Sequence, residues 1–457
     1  MEAEMDAPQP NYIASMAWVP RGAGRTGAPI VAPGAVDVEM GDAPVDENFT
    51  EDALDPQLAQ FSLESRDSML VTGQAGFGLS SLSFDVVSPA FHDVDGTKMA
   101  SGSVWHRQDC DVAAVPLSLA YIDGPNKEQP FVAVGTLWSP EIAVFPADVL
   151  DLNEPMFTIG GEEEAPAPAP VASKKRSRRS RRAKPQQVAA APAADTDRSV
   201  TCLSWEGRTT GELNSLLAGS ADGSLRVWDL STQQATFSQH MKGDAKRGAV
   251  SVAALSPYAQ GVALGATQAC RCGVYDTRSK SGGMPIKGLA SLAKSDPENP
   301  VWDLCEGAWV DANTVVVGFD SGVMAAIDLR NVSQMGVRRI HGKSLYEGVP
   351  GAPFSLSASK TVPGMVVTGG ADGFLNVLDT KKMFQEGVDP VVLNRQSGIG
   401  PVMTVSLSPD YQGLLGVGGW ENASTALIDL GNDASLKQKG MALAQCGIQD
   451  AFSPFNH

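Results

Sequence analysis

The side chains with the most scope for chemistry are five histidines (His92, His106, His240, His341 and His457), six cysteines, one glycine triplet and one dense run of cations. A catalytic or metal-binding histidine needs a partner at a set spacing, either a further ligand or a nucleophile that it can deprotonate. None of the five has one, because they are spread along the chain with no Ser or Cys beside them in a recognisable pairing. His341, followed by Gly342, reads as a turn residue. Cys270 and Cys272 would point to one face of a regular strand, but two thiols do not complete a structural zinc site, and they read as part of a buried strand. Gly22, Gly24 and Gly27 satisfy G-x-G-x-x-G, yet Pro29 and Pro33 follow and no helix can start there to meet a phosphate. No catalytic group, cofactor, metal or small-molecule substrate is therefore expected, and the chain reads as a non-enzyme.

The cations are a different matter. Lys174, Lys175, Arg176, Arg178, Arg179, Arg181, Arg182 and Lys184 place eight positive charges in eleven residues of a chain whose net charge is −17, so everything else stands at about −25. An acidic body with one cationic segment suits recognition by an import receptor and non-specific contact with phosphate backbones. The segment offers charge without an aromatic stacking surface, so it cannot read base sequence by itself. Ser177 and Ser180 lie among the arginines, where phosphorylation would cancel part of the charge.

The segments flanking this block are compositional, not periodic. Residues 160–197 form a Pro/Ala-rich linker around the basic block, and residues 1–67 hold thirteen acidic and three basic side chains, which predicts a mostly disordered acidic arm. No run of eighteen apolar residues and no charged n-region followed by an apolar core is present, so neither a membrane span nor secretion is expected. The dispersed cysteines agree with a reducing compartment.

What must carry these features is a repeat. Runs ending at Gly135, Gly219, Gly265, Gly318, Gly369 and Gly418 are each followed, ten or eleven residues later, by a second run ending at Phe145, Asp229, Asp276, Asp328, Asp379 and Asp429. The last five landmarks lie 47, 52, 51 and 50 residues apart, a period that means stacked supersecondary units. The clearest copy, LLAGSADGSLRVWDL over 216–230, reads as strand, Asp-Gly turn, strand. Alternating runs ahead of the copies, such as SVTCLSW over 199–205 and PVMTVSLSP over 401–409, supply a further strand each.

Four-stranded units repeated radially are the blades of a β-propeller. With looser copies at 69–86 and 130–145, the count is seven, and the fold class is all-β: a seven-bladed propeller with an acidic arm and an inserted basic linker. The chain resembles the WD-repeat class here, with Trp228-Asp229 intact and the aspartate kept in four other copies. The Gly-His dipeptide of that class is missing throughout, so apolar packing is expected to hold the blades in place of a buried His–Asp network. The expected organisation is an arm over 1–67 with a closing strand at 12–19, blades one and two over 68–159, the linker over 160–197, blades three to seven over 198–431, and a tail over 432–457.

A more specific resemblance rests on AWVPRG (17–22), LDPQLAQFSLES (54–65), PFVAVGTLWSPEIAVFPADVLDLNEPMFTIGG (130–161) and the basic insert directly after it. In this order they resemble the periodic tryptophan protein 1 family, although VFP (144–146) stands where that family reads V-W-D. The resemblance implies a nuclear and nucleolar scaffold in ribosome biogenesis, with pre-ribosomal particle proteins and rRNA as partners and histones through chromatin. A separate feature points to a ubiquitin ligase: Asp276-Thr277-Arg278 and Asp328-Leu329-Arg330 resemble the D-x-R ending by which WD-repeat substrate receptors dock onto cullin-RING adaptors. A histone-binding propeller is the third reading of the acidic surface.

Overall fold

The structure is a computed structural model that describes residues 11–23, 30–31, 61–76, 80–89, 91–92, 98–100, 102–124, 129–152, 154–161, 198–241, 248–279, 282–292, 303–342, 353–420, 423–441, 443–446, 448 and 451–453. Seven four-stranded antiparallel sheets follow one another along the chain, each ordered from the innermost strand outwards. Blade three is typical, with Val200–Ser204 innermost, then Ser215–Ser220, Ser224–Asp229 and Gln234–His240. Its central hairpin turns at Asp222-Gly223, where Gly223 takes a φ of 82° and the Asp222 carboxylate accepts the Ser224 N–H at 2.8 Å. A residue without a Cβ carries that left-handed φ at little cost.

The repeated glycines have a packing cause. A Cβ on Gly219 would lie 2.6 Å from Val250 Cγ1, the first residue of the next blade's innermost strand, and one on Gly418 would lie 2.6 Å from Ile13 Cβ. The second strand of one blade thus receives the start of the next blade face to face, and only glycine leaves the room. The recurring aspartates are turn residues: Asp229, Asp276, Asp328, Asp379 and Asp429 each accept the backbone N–H two residues on, through Oδ1.

Both ends of the chain enter the ring. Tyr12–Val19 is the innermost strand of blade one, paired antiparallel with Ser68–Ala75 from Ile13 opposite Gln74 to Val19 opposite Met69. The segment 432–457, read from sequence as a tail, instead adds Ala451–Ser453 to blade seven opposite Thr425, Ala426 and Leu427. Ile13, Met16 and Trp18 pack with Leu70, Leu414 and Leu427, so the last blade closes directly on the first. The rest of the arm from 32 to 60 and the linker from 162 to 197 lie outside the described residues.

Around the axis, hydroxyl and indole groups of the innermost strands stitch neighbouring blades. Ser15 Oγ donates to the Pro116 carbonyl (2.7 Å), and Ser118, Ser204 and Ser357 accept the backbone N–H groups of Leu203, Leu255 and Leu407 at 2.9, 2.9 and 3.1 Å. Trp309 Nε1 donates to Ala254 O and Trp18 Nε1 to Ser406 O, both at 3.0 Å, the second across the closing seam. These bonds fix the blades in rotation as well as distance, because apolar contact alone is non-directional.

Candidate functional site: the channel mouth and the turns around it

The innermost strands end together at one mouth of the central channel, where a cavity of about 490 Å³ opens. Blades one, two, three, six and seven line it, through Trp18, Tyr121, Trp205 with Glu206, Lys360 and Asp410. Lys360 Nζ reaches Glu206 at 2.8 Å and 2.6 Å to the two carboxylate oxygens, joining blade six to blade three. Beside it Arg208 grips Asp123 with two 2.8 Å bonds and donates to the Tyr121 hydroxyl at 2.9 Å. The hydrogen bonds that Arg208 donates to Asp123 hold its guanidinium above the ordinary value, while burial, and then the bond to Asp123, push the Tyr121 phenol up. Both groups therefore keep their protons across the physiological range.

Aromatic contacts brace this cluster. The Arg208 guanidinium lies 5.2 Å over the Tyr121 ring, and Trp205 meets that ring edge-on at 5.5 Å. Trp205 Nε1 donates to Leu213 O at 2.9 Å, which orients the indole. On the opposite side the Arg21 backbone N–H donates to Asp410 at 2.5 Å. The mouth is a rigid, fully paired polar rim over aromatic walls. The Thr209 hydroxyl also donates to the Glu206 carboxylate, at 3.0 Å. On the innermost strand of blade five, burial pushes the Glu306 carboxyl up to about 8, against the opposing hydrogen bond from the Gly307 N–H.

The residues singled out in the sequence fall elsewhere. Arg278 folds back on Asp276 with Nε at 2.9 Å and Nη2 at 3.2 Å, and Arg330 does the same to Asp328 at 2.9 Å and 2.7 Å. Both arginines are exposed at equivalent turns of adjacent blades four and five, so the D-x-R pattern is a turn aspartate with its own cation docked on it. The eight basic residues from Lys174 to Lys184, with Ser177 and Ser180, lie outside the described residues, as do Gly24, Gly27, Pro29 and Pro33.

Two readings need correction. Cys270 is not on a strand: it sits in the hairpin turn at a φ of 60°, with Cys272 opening the next strand, and both are buried in the same apolar cluster. Burial pushes the Cys272 thiol up to about 12. His341 is not an exposed turn residue. It is 1% exposed, with Nδ1 3.0 Å from Asp372 Oδ1 and Nε2 2.8 Å from the Thr368 hydroxyl, so a buried His–Asp network does exist in blade six. Its order is His-Gly instead of Gly-His, so the dipeptide pattern does not cover it. Among the described residues no group of three or more His, Cys, Asp or Glu is placed to hold a metal ion.

The channel mouth itself left no trace in the sequence, since Glu206 and Lys360 are 154 positions apart. No shared position marks them either: Gly219, Gly369 and Gly418 pair with Cys202, Ser355 and Thr404, which puts Glu206 four residues past that point, Lys360 five and Asp410 six.

No protein-family model matches the chain. An uncharacterized WD repeat-containing protein of Schizosaccharomyces pombe is 25% identical over 350 residues, an alignment covering 75% of this chain. The chain spans 57% of that protein's length. WD-repeat propellers are typically non-enzymatic scaffolds for protein contacts, and no helix among the described residues is long and apolar enough to cross a membrane. The chain is thus a seven-bladed β-propeller, distantly similar in sequence to a WD repeat-containing protein.

Proposed function

We propose that this protein is a non-enzymatic scaffold of ribosome biogenesis, acting in the nucleus and nucleolus on large-subunit precursors and supporting ribosomal RNA processing. The observation that carries the reading is the insertion of eight cations in eleven residues into a propeller whose remainder stands at about −25. That block is an import signal and an electrostatic tether to RNA in one. The segments that carry the resemblance to the periodic tryptophan protein 1 family support it. One is the innermost strand of blade one, and another runs through the three outer strands of blade two, the blade from which the basic insert departs. The protein should sediment with large-subunit precursors in a salt-sensitive manner, and its depletion should accumulate precursor rRNA. Light fractions only, with normal processing, would overturn the reading.

A second reading has one observation in its favour: equivalent turns of two adjacent blades present Asp276/Arg278 and Asp328/Arg330, with Arg278 60% and Arg330 70% exposed. A ubiquitin-ligase receptor would bring down a cullin adaptor and lose it when both arginines are changed.

A further inference from the structure

Cations on this propeller are commonly docked on carboxylates, as Arg226 is on Asp222, Arg278 on Asp276, Arg330 on Asp328 and Lys360 on Glu206. Arg271 and Lys287 are not. Both are exposed, no carboxylate among the described residues pairs with either, and they line one cavity of about 520 Å³ between blades three and four. His240 and Tyr275 line it too, over an apolar wall that includes Met241 and Ile286, and no Asp or Glu is among the described residues around it. Tyr275 gives an independent sign. A partly buried phenol usually finds a partner for its hydroxyl. The Tyr275 hydroxyl has none among the described residues, and burial pushes it above its ordinary value, so it keeps a proton to donate. Its ring is pinned, since a Cβ on Gly283 would overlap it.

A sheet edge runs into the same cavity. Gln234–His240 is the outermost strand of blade three, no described strand pairs with its outer side, and its last residue lines the cavity. An open edge invites a further strand unless it is short, charged or broken by proline. The outer strands of blades two, four and seven are three residues long, the second of these with Pro285 at its centre, and those of blades one, five and six carry charged side chains. Blade three presents seven residues, QATFSQH, with no Lys, Arg, Asp, Glu or Pro. Its pairing shifts once, at Thr236, and then runs unbroken from Phe237 to His240.

We propose that this edge and cavity bind an extended acidic peptide of a partner protein, which adds a fifth strand to blade three and sets a carboxylate against Arg271, Lys287 and the Tyr275 hydroxyl. The edge supplies main-chain hydrogen bonds whatever the sequence, and the cavity selects the side chain. Charge decides for a peptide over RNA. One or two carboxylates answer two cations, whereas an RNA strand brings a charge with every nucleotide and binds through a row of cations. Outside Lys174–Lys184 the chain stands at about −25, which repels such a strand. The site goes beyond the ribosome-biogenesis reading and does not depend on it.

The test selects peptides from a displayed library of random dodecapeptides on the full-length chain, after removing those that also bind the chain carrying Arg271→Ala and Lys287→Ala. The basic insert is common to both chains, so peptides held by it are discarded. Survivors should carry Asp or Glu alternating with apolar residues. As labelled synthetic peptides followed by anisotropy, they should bind the double variant about 10-fold more weakly and Tyr275→Phe about 3-fold more weakly. Melting temperatures should not change, because neither cation has a partner to lose. Methylating alternate amide nitrogens should abolish binding in one register and spare it in the other, as a ladder of hydrogen bonds requires. No survivor after the subtraction, or survivors without acidic residues, overturns the proposal. Equal affinity for both methylated registers overturns it too, since no strand would have been added. So does a labelled oligouridylate that binds the wild type and is lost from the double variant, which would make the cavity a phosphate site.

Discussion

Blades three and six carry the same turn, Ala-Asp-Gly, and use its aspartate in opposite ways. Asp222 accepts the Ser224 N–H at 2.8 Å and pairs with Arg226 at 3.3 Å near the surface. Asp372 makes the equivalent local bond, to the Phe374 N–H at 3.1 Å, but also receives His341 Nδ1 at 3.0 Å and the Gly342 N–H at 2.8 Å. A carboxylate only accepts, so Nδ1 carries the proton toward Asp372, and the Thr368 hydroxyl lies against Nε2. The network runs on: Asn376 lies 3.4 Å from the imidazole, and Asn394 donates to Asn376 Oδ1 at 2.7 Å. In blade three the matching positions are Ala218 and Arg226, paired across the hairpin as Thr368 and Asn376 are in blade six. The blade with the intact Trp-Asp dipeptide therefore lacks the network, and the blade with the network lacks the dipeptide. In both blades the turn aspartate makes its local bond; in blade six it is also a core anchor, because a histidine reaches it from the preceding blade.

That contrast can be broken most directly at His341. His341→Leu leaves the buried Asp372 carboxylate and Thr368 hydroxyl without this partner, and should cost about 3 kcal/mol, read as a drop in the denaturation midpoint. A loss under about 1 kcal/mol would mean that apolar packing alone holds blade six.

The pH dependence sharpens the same point. Burial pushes Asp372 up, but the hydrogen bond from His341 and the N–H groups of Gly342 and Phe374 outweigh it and leave the carboxyl below its ordinary 3.8. The unfolded chain then binds more protons than the folded one as the pH falls below that value, so the contribution is whole above it and lost on further acidification. Asp372→Asn should flatten the acid limb of the melting curve against pH, and an unchanged limb would remove the network from the account.

The smallest effect belongs to blade three. Asp222→Ala should cost about 0.5 to 1 kcal/mol, since it removes the turn bonds from the Ser224 N–H and hydroxyl and a partly exposed ion pair. A loss equal to that of His341→Leu would show the two aspartates to be equivalent after all.

Much of the architecture was legible because its signals are local. Gly219 and Gly418 mark where a neighbouring strand arrives, Asp229 and Asp429 where a turn begins, and the alternation of LRVWD which face is buried. The outer strand of blade seven was not legible: Ala451–Ser453 is three residues long and shows no period. The role of His341 is not legible in its neighbourhood because it depends on Asp372, thirty-one positions on in the hairpin turn of blade six.

The sequence by itself determined that the chain repeats, how often, and where its charge is interrupted, because a strand's pattern and a turn's chemistry are complete within a dozen residues. Only the tertiary structure decided which groups meet: Glu206 with Lys360 at the channel mouth, Trp18 with Ser406 at the closing seam, and Trp138 with Ser199 at the root of the basic insert. The physical reason is the ring itself, which brings the ends of distant strands to one axis and leaves their spacing along the chain without meaning.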